Sequence, residues 1–182
     1  MAAEVSHTVI PPVPSLAALD VAETYVKRLE GLSLRNVEAS LYHNGKRIGR
    51  QMGEMLFTGT GVSGPIILTL SKLYARLDDK SNVELRINFK PALDREQLEA
   101  RLLADFTRTT QYPNYLGELL PRKMVPVFAE VSRISGDTTL NKITAVQRRR
   151  IIDMLLGYRF TISGARPAAV MTAFRICTQL SL

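Results

Sequence analysis

A chain of 182 residues with 46% apolar content is long enough to bury one core, or two small packed ones. Its longest apolar runs, such as GPIILTL, fall far short of the roughly 20 residues that cross a bilayer, and its N-terminus lacks a basic stretch followed by a hydrophobic one, so a cytoplasmic chain with no membrane partner is expected. A single cysteine, Cys177, excludes an internal disulfide. His7 and His43 lie too far apart for metal-ligand spacing, and 24 Lys and Arg against 17 Asp and Glu give +7, a charge that favours anionic partners without naming one.

Taken in chain order, HTVIPPVPSL carries three prolines, which lack an amide donor and push their predecessors out of helical geometry; residues 1–16 therefore read as an extended connector. Val37, Ala39 and Leu41 then alternate with Glu38, Ser40 and Tyr42, and Asn44-Gly45 supplies the positive backbone angles of a type I′ hairpin, so a returning strand is expected through Ile48 toward Leu56. A helix over PIILTLSKLYARL follows. In VELRINF, Val83, Leu85, Ile87 and Phe89 share one face, as in an antiparallel sheet with one wet side.

At Pro91 the period changes from 2 to 3.6. Asp94 with Gln97 forms a capping box ahead of Leu98, Leu102, Leu103 and Phe106. NYLGELL reads as a short second helix, and a third carries Met124, Val127, Phe128 and Val131, with Pro126 bending it or delaying its start. Thr144 with Gln147 caps a fourth, lined by Ile152, Leu155 and Leu156 and stopped by Gly157. The arginines at 148–150 spread around that helix as a solvated face. YRFTISGARP returns to alternation. The expected fold is α+β: an antiparallel sheet or barrel-like subdomain over 17–91 and 158–182, interrupted by a small helical subdomain over 92–157.

The stretch EMLFTGTGVSGPIILTL holds Gly59-x-Gly61-x-x-Gly64, the outline of a dinucleotide-binding turn. Pro65 directly after the third glycine starts the helix late and removes an amide from its first turn, and the preceding strand belongs to a hairpin rather than to a βαβ unit. A Rossmann turn is therefore not expected. The plain reading is a strand-to-helix turn in which Gly59 and Gly61 take positive backbone angles.

The same stretch resembles the most recognisable motif of the BaiN-like bacterial NAD(P)/FAD-dependent oxidoreductases, close to G-E-[LM]-L-F-T-H-x-G-[ILV]-S-G-P-x-I-L, and matches it over 53–68 except that Gly59 stands where histidine is usual. HTVIPPVPSL, INFKPALDREQLEARLLADF, LLPRKMVPV and FTISGARPAAVMTA are similar to further segments of that family. The resemblance implies a middle insert domain, whose partners are the FAD-binding segments of a parent flavoprotein and whose substrate stays open. The expected flavin- or substrate-facing loop is Thr58, Gly59, Thr60, Gly61, Ser63 and Gly64. FAD is expected in the full-length parent and none on this chain alone, because no GxGxxG follows an N-terminal strand and FRICTQLSL stands where the family continues into its cofactor domain. The chain alone is then not catalytic, and no catalytic or metal residue is assigned.

The alternative is a stand-alone basic module binding nucleic acid through Lys46, Arg47, Arg50 and the arginines at 148–150. With 7% aromatic residues, no tryptophan and no aromatic pair interleaved with those charges, a stacking platform is not evident, and nucleic acid is not the expected partner.

Overall fold

A computed structural model describes residues 16–167. The proline-rich connector up to residue 15, His7, Cys177 and the segment from 168 onward lie outside the described residues. Within them the strands are β1 (Ala17–Val21), β2 (Ser33–His43), β3 (Lys46–Phe57), β4 (Gly61–Ser63), β5 (Val83–Asn88) and β6 (Tyr158–Pro167); the helices are α1 (Pro65–Ala75), α2 (Arg95–Asp105), α3 (Tyr112–Leu119), α4 (Val125–Ser132) and α5 (Ala145–Leu156).

The six strands close into a barrel in the order β1-β4-β3-β2-β5-β6, every pair antiparallel. Closure removes the free edges that would template pairing with another chain. The hairpin forms as the sequence dictates, with Asn44 at φ 49° and Gly45 at φ 77° between the His43↔Lys46 pair. Val37, Ala39 and Leu41 from β2 and Val83, Leu85 and Ile87 from β5 point inward and are buried, as the alternation requires. β1 and β4 are short additions: β4 pairs with β3 and β1, and β1 closes the barrel by running beside β6 from Ala17↔Pro167 to Val21↔Ile162. Among the described residues no parallel strand pair flanks the glycine stretch, and the antiparallel pairing of β4 with β3 and β1 excludes a Rossmann turn there.

Helices α2 to α5 fill the connection from β5 to β6. Both capping boxes are present, Asp94 with Gln97 on α2 and Thr144 with Gln147 on α5. Pro126 sits in the first turn of α4, where its missing amide costs nothing, so the proline delays the helix rather than bending it. Gly157 does end α5, but at φ −163°, an extended conformation leading straight into β6 rather than a left-handed cap. Barrel and helical unit share one hydrophobic core. Tyr158, at the start of β6, joins them: its ring lies 5.8 Å from Phe89, 5.9 Å from Phe128 of α4 and 5.1 Å from Phe160.

Candidate functional site

The loop singled out by the motif runs from the end of β3 through β4 to the start of α1. Gly61 and Gly64 serve close backbone approach, and neither Gly59 nor Gly61 takes the positive φ expected of it; Gly64 does, at 97°. A Cβ on Gly61 would lie 2.0 Å from the carbonyl oxygen of Leu19 and 2.7 Å from the Cα of Asp20, because β1 runs directly against β4 there. One on Gly64 would meet the Cα of Met55 at 2.9 Å. Both glycines therefore open room for the protein's own backbone, and Ser63, paired with Leu56, is half-buried in the same ladder.

The loop's tip is different. The amide of Thr58 donates to the carbonyl of Gly61 at 2.9 Å, closing a tight turn. The Thr58 hydroxyl is buried and has no hydrogen-bond partner among the described residues. The Thr60 hydroxyl donates to the Asp20 carboxylate at 2.5 Å, and Arg166 reaches both, lying 2.7 Å from Asp20. Thr58 and Gly59 are half-buried and Thr60 is exposed, so the tip is more open than the Gly61–Ser63 ladder. Neither threonine hydroxyl is free at the surface, that of Thr58 being buried and that of Thr60 engaged with Asp20 and Arg166, so a cofactor such as FAD could meet this loop only through its backbone and the outer edge of Thr60.

Gly59 lies beside Glu30, whose carboxylate oxygen would stand 3.2 Å from an added Cβ. Restoring the family's histidine, Gly59→His, should place an imidazole next to that exposed carboxylate, which can swing aside to accommodate it. The carboxylate raises the histidine pKa in the folded chain, so the gain is fully present below about pH 6.5 and is lost as pH rises through the higher folded value. For so exposed a pair it should not exceed about 1 kcal/mol, measurable as a difference between melts at pH 5.5 and pH 8.

A second site lies across the barrel, where the outer face of β2, β5 and β6 meets α5. It is a cleft of about 610 Å³. Five arginines, Arg47, Arg86, Arg95, Arg150 and Arg159, line it against two carboxylates, Glu38 and Asp153. Strand register builds its floor: Ser40 lies opposite Arg50 on one side and Arg86 on the other, and Arg86 opposite Arg159, so one row crosses four strands. In the next row Tyr42 lies between Arg47 and Glu84. The Arg86 guanidinium sits 4.0 Å from the centre of the Tyr42 ring and 2.9 Å from Glu84. Arg95 pairs with Asp153, Arg50 with Glu38, and Arg150 donates to the carbonyl of Val131 at 3.0 Å. Arg47 and Arg159 have neither ion pair nor hydrogen bond from their side chains among the described residues.

The structure thus brings together Arg47 and Arg150, two of the basic residues named from sequence, and leaves Lys46, Arg50, Arg148 and Arg149 outside the cleft lining. Sequence reasoning does not single out Tyr42, Arg86, Arg95 or Arg159 as site residues. Their signal is the polar half of the same strand alternation that identifies the core.

A closed antiparallel barrel with a helical unit in its β5–β6 connection, carrying the glycine loop at β4, defines the class. The chain matches the HI0933-like protein barrel and H2TH domain family over residues 13–171, and it belongs to that family. This is the flavoprotein family, associated with FAD, that the motif resemblance indicates. A ribosomal RNA dihydrouridine synthase from Haemophilus influenzae is 28% identical over 158 residues, covering 86% of this chain and 36% of the relative. The chain therefore spans about a third of the length of the curated relative it matches.

Proposed function

We propose that this chain is the substrate-side insert domain of an FAD-dependent oxidoreductase, and that the assembled protein reduces a uracil base in RNA. The observation that carries the insert reading is the seam: β1 opens and β6 ends the described fold side by side, Ala17 opposite Pro167, as in a domain that leaves its host and rejoins it at one place. Its similarity to a third of a longer relative supports the same arrangement, and the relative's name supports the substrate. Saturating the C5–C6 bond of uracil requires a hydride on one carbon and a proton on the other, and a bound flavin supplies the hydride. The protein's share is to hold the base, exclude water and keep the flavin-binding segments in register with the barrel. The loop formed by Thr58, Gly59, Thr60, Gly61, Ser63 and Gly64 borders flavin or substrate, with Gly59 and the exposed Thr60 at its tip and Gly61 and Gly64 anchoring it to β1 and β3.

The test joins this chain to the FAD-binding segments of its parent and measures flavin content together with dihydrouridine in RNA. The assembled protein should hold FAD and form dihydrouridine, and the chain alone should be colourless. Stoichiometric FAD retained by the chain alone through gel filtration, or a flavin-loaded parent inert toward RNA, counts against the proposal. Thr60→Val probes the loop. Thr60 is exposed and loses only surface hydrogen bonds with Asp20 and Arg166, so the melt should stay within about 1.5 kcal/mol of the original while dihydrouridine formation falls. Unchanged turnover in that variant would leave Thr60 with no role at the flavin border.

A further inference from the structure

We infer that the arginine cleft between the β2–β5–β6 face and α5 binds the phosphodiester backbone of single-stranded RNA. The inference rests on the RNA reading above but concerns a different surface, because strand order puts the cleft across the barrel from the glycine loop. Arginine's planar fork matches phosphate oxygens in pairs and, unlike lysine, is weakly hydrated, so a concentration of five arginines is chemically suited to phosphates. Three of them are already oriented: Arg86 by Glu84 and Tyr42, Arg95 by Asp153, and Arg150 by the Val131 carbonyl. Arg47 and Arg159 have no such internal partner among the described residues and stand exposed at neighbouring rows of the sheet.

Spacing selects a polymer over a compact anion. Arg47 on β3, Arg86 on β5 and Arg159 on β6 together span three strand gaps of about 4.8 Å, so the charges of this face extend over about 14 Å. A second bank, Arg95 and Arg150, faces it from the helical unit. One phosphate cannot meet charges so dispersed, whereas successive phosphates of a strand can. The volume is that of a small-ligand pocket, which admits one strand and excludes a duplex. Arg86 covers Tyr42, so the cleft has no free aromatic pair to stack bases. Binding should therefore follow the backbone, tolerate sequence and weaken steeply with salt.

The experiment measures fluorescence anisotropy of a labelled oligouridylate about 12 nucleotides long, within the range of single-strand site sizes, titrated with the full chain at roughly 50 to 200 mM salt. The double variant Arg47→Glu/Arg159→Glu should bind at least tenfold more weakly, and the slope of log affinity against log salt should fall by about 0.7 for each phosphate that the variant no longer neutralises. A control with the same charge change at the C-terminal end of α1, Lys72→Glu with Arg76→Glu just past it, should retain most of the affinity; thermal melts of both variants establish that they are folded. Equal losses in cleft and control variants would reduce the effect to overall charge and overturn the cleft. Binding by the unaltered chain with no loss in the cleft variant would also overturn it, while leaving RNA as the substrate. If NADPH binds the cleft and the oligouridylate does not, the polymer assignment fails. If the chain binds no RNA at any of these salt concentrations, the cleft fails as well, and dihydrouridine formation by the flavin-loaded parent decides the substrate reading separately.

Discussion

Gly61→Val should unfold the barrel at its seam. In β4 the missing Cβ is what lets β1 lie against residue 61, with the Leu19 carbonyl 2.0 Å and the Asp20 Cα 2.7 Å from where that atom would go. These are backbone atoms in a closed sheet, so neither can swing away as a side-chain end would. Relief requires separating β1 from β4, and with it the pairing of Leu19 with Val62 and Asp20 with Gly61. The cost should be on the order of 4 kcal/mol or more, a large part of the roughly 5–15 kcal/mol that holds an ordinary domain together. Urea denaturation of the purified chain measures it. Gly59→Ala is the comparison, since its new atom meets only the flexible end of Glu30 and should stay within about 1 kcal/mol of the original. A Gly61→Val protein as stable as its parent would mean that β1 does not occupy the position described. Loss of flavin from a parent carrying Gly61→Val would follow from lost folding and would say nothing about flavin contact; the exposed Thr60 is the sounder probe.

Gly61 also shows where sequence reasoning reaches its limit. Glycine in a turn-like stretch reads as a residue needing positive φ, but what residue 61 needs is the absence of a Cβ, because a strand more than forty positions earlier runs over it. Local pattern locates β2, β3, β5, the helix after Pro65 and both capping boxes, since each is dictated by neighbours within a few residues. The α+β assignment with a barrel-like sheet is legible for the same reason. Closure is not: β1 and β4 are too short to show alternation, and they are defined by their partners. The cleft is harder still. Arg47, Arg86 and Arg159 lie on three strands far apart in sequence, and only register puts them on one surface. Followed along the chain, the basic residues resemble a scattered solvated face; followed across the sheet, they concentrate where α5 folds back onto the barrel.

Tyr158→Ala should cost about 3–5 kcal/mol, the usual range for deleting a buried aromatic ring, because Phe89, Phe128 and Phe160 all pack on it and a cavity would open where barrel and helical unit meet. Tyr158→Phe should be close to neutral at pH 7. Tyr25 is the hydroxyl's polar neighbour, but the geometry falls short of a hydrogen bond, so little is lost with the oxygen. The two variants separate again in alkali. Burial raises the pKa of Tyr158 well above its ordinary value near 10; burial, then the 2.7 Å hydrogen bond to Asp105, raises that of Tyr115, and burial pushes Tyr112 up to about 12. For groups raised in the folded state, the stabilisation is fully present below pH 10 and is lost as pH climbs toward the folded values, since the unfolded chain ionises first. Each such tyrosine should remove about 1.4 kcal/mol per pH unit in that window. Stability measured by urea at pH 9 and pH 11 should therefore fall less steeply for Tyr158→Phe than for the original chain, by one tyrosine's share. If both lose stability equally, Tyr158 ionises as freely folded as unfolded, and the packed junction between barrel and helices does not exclude water as described.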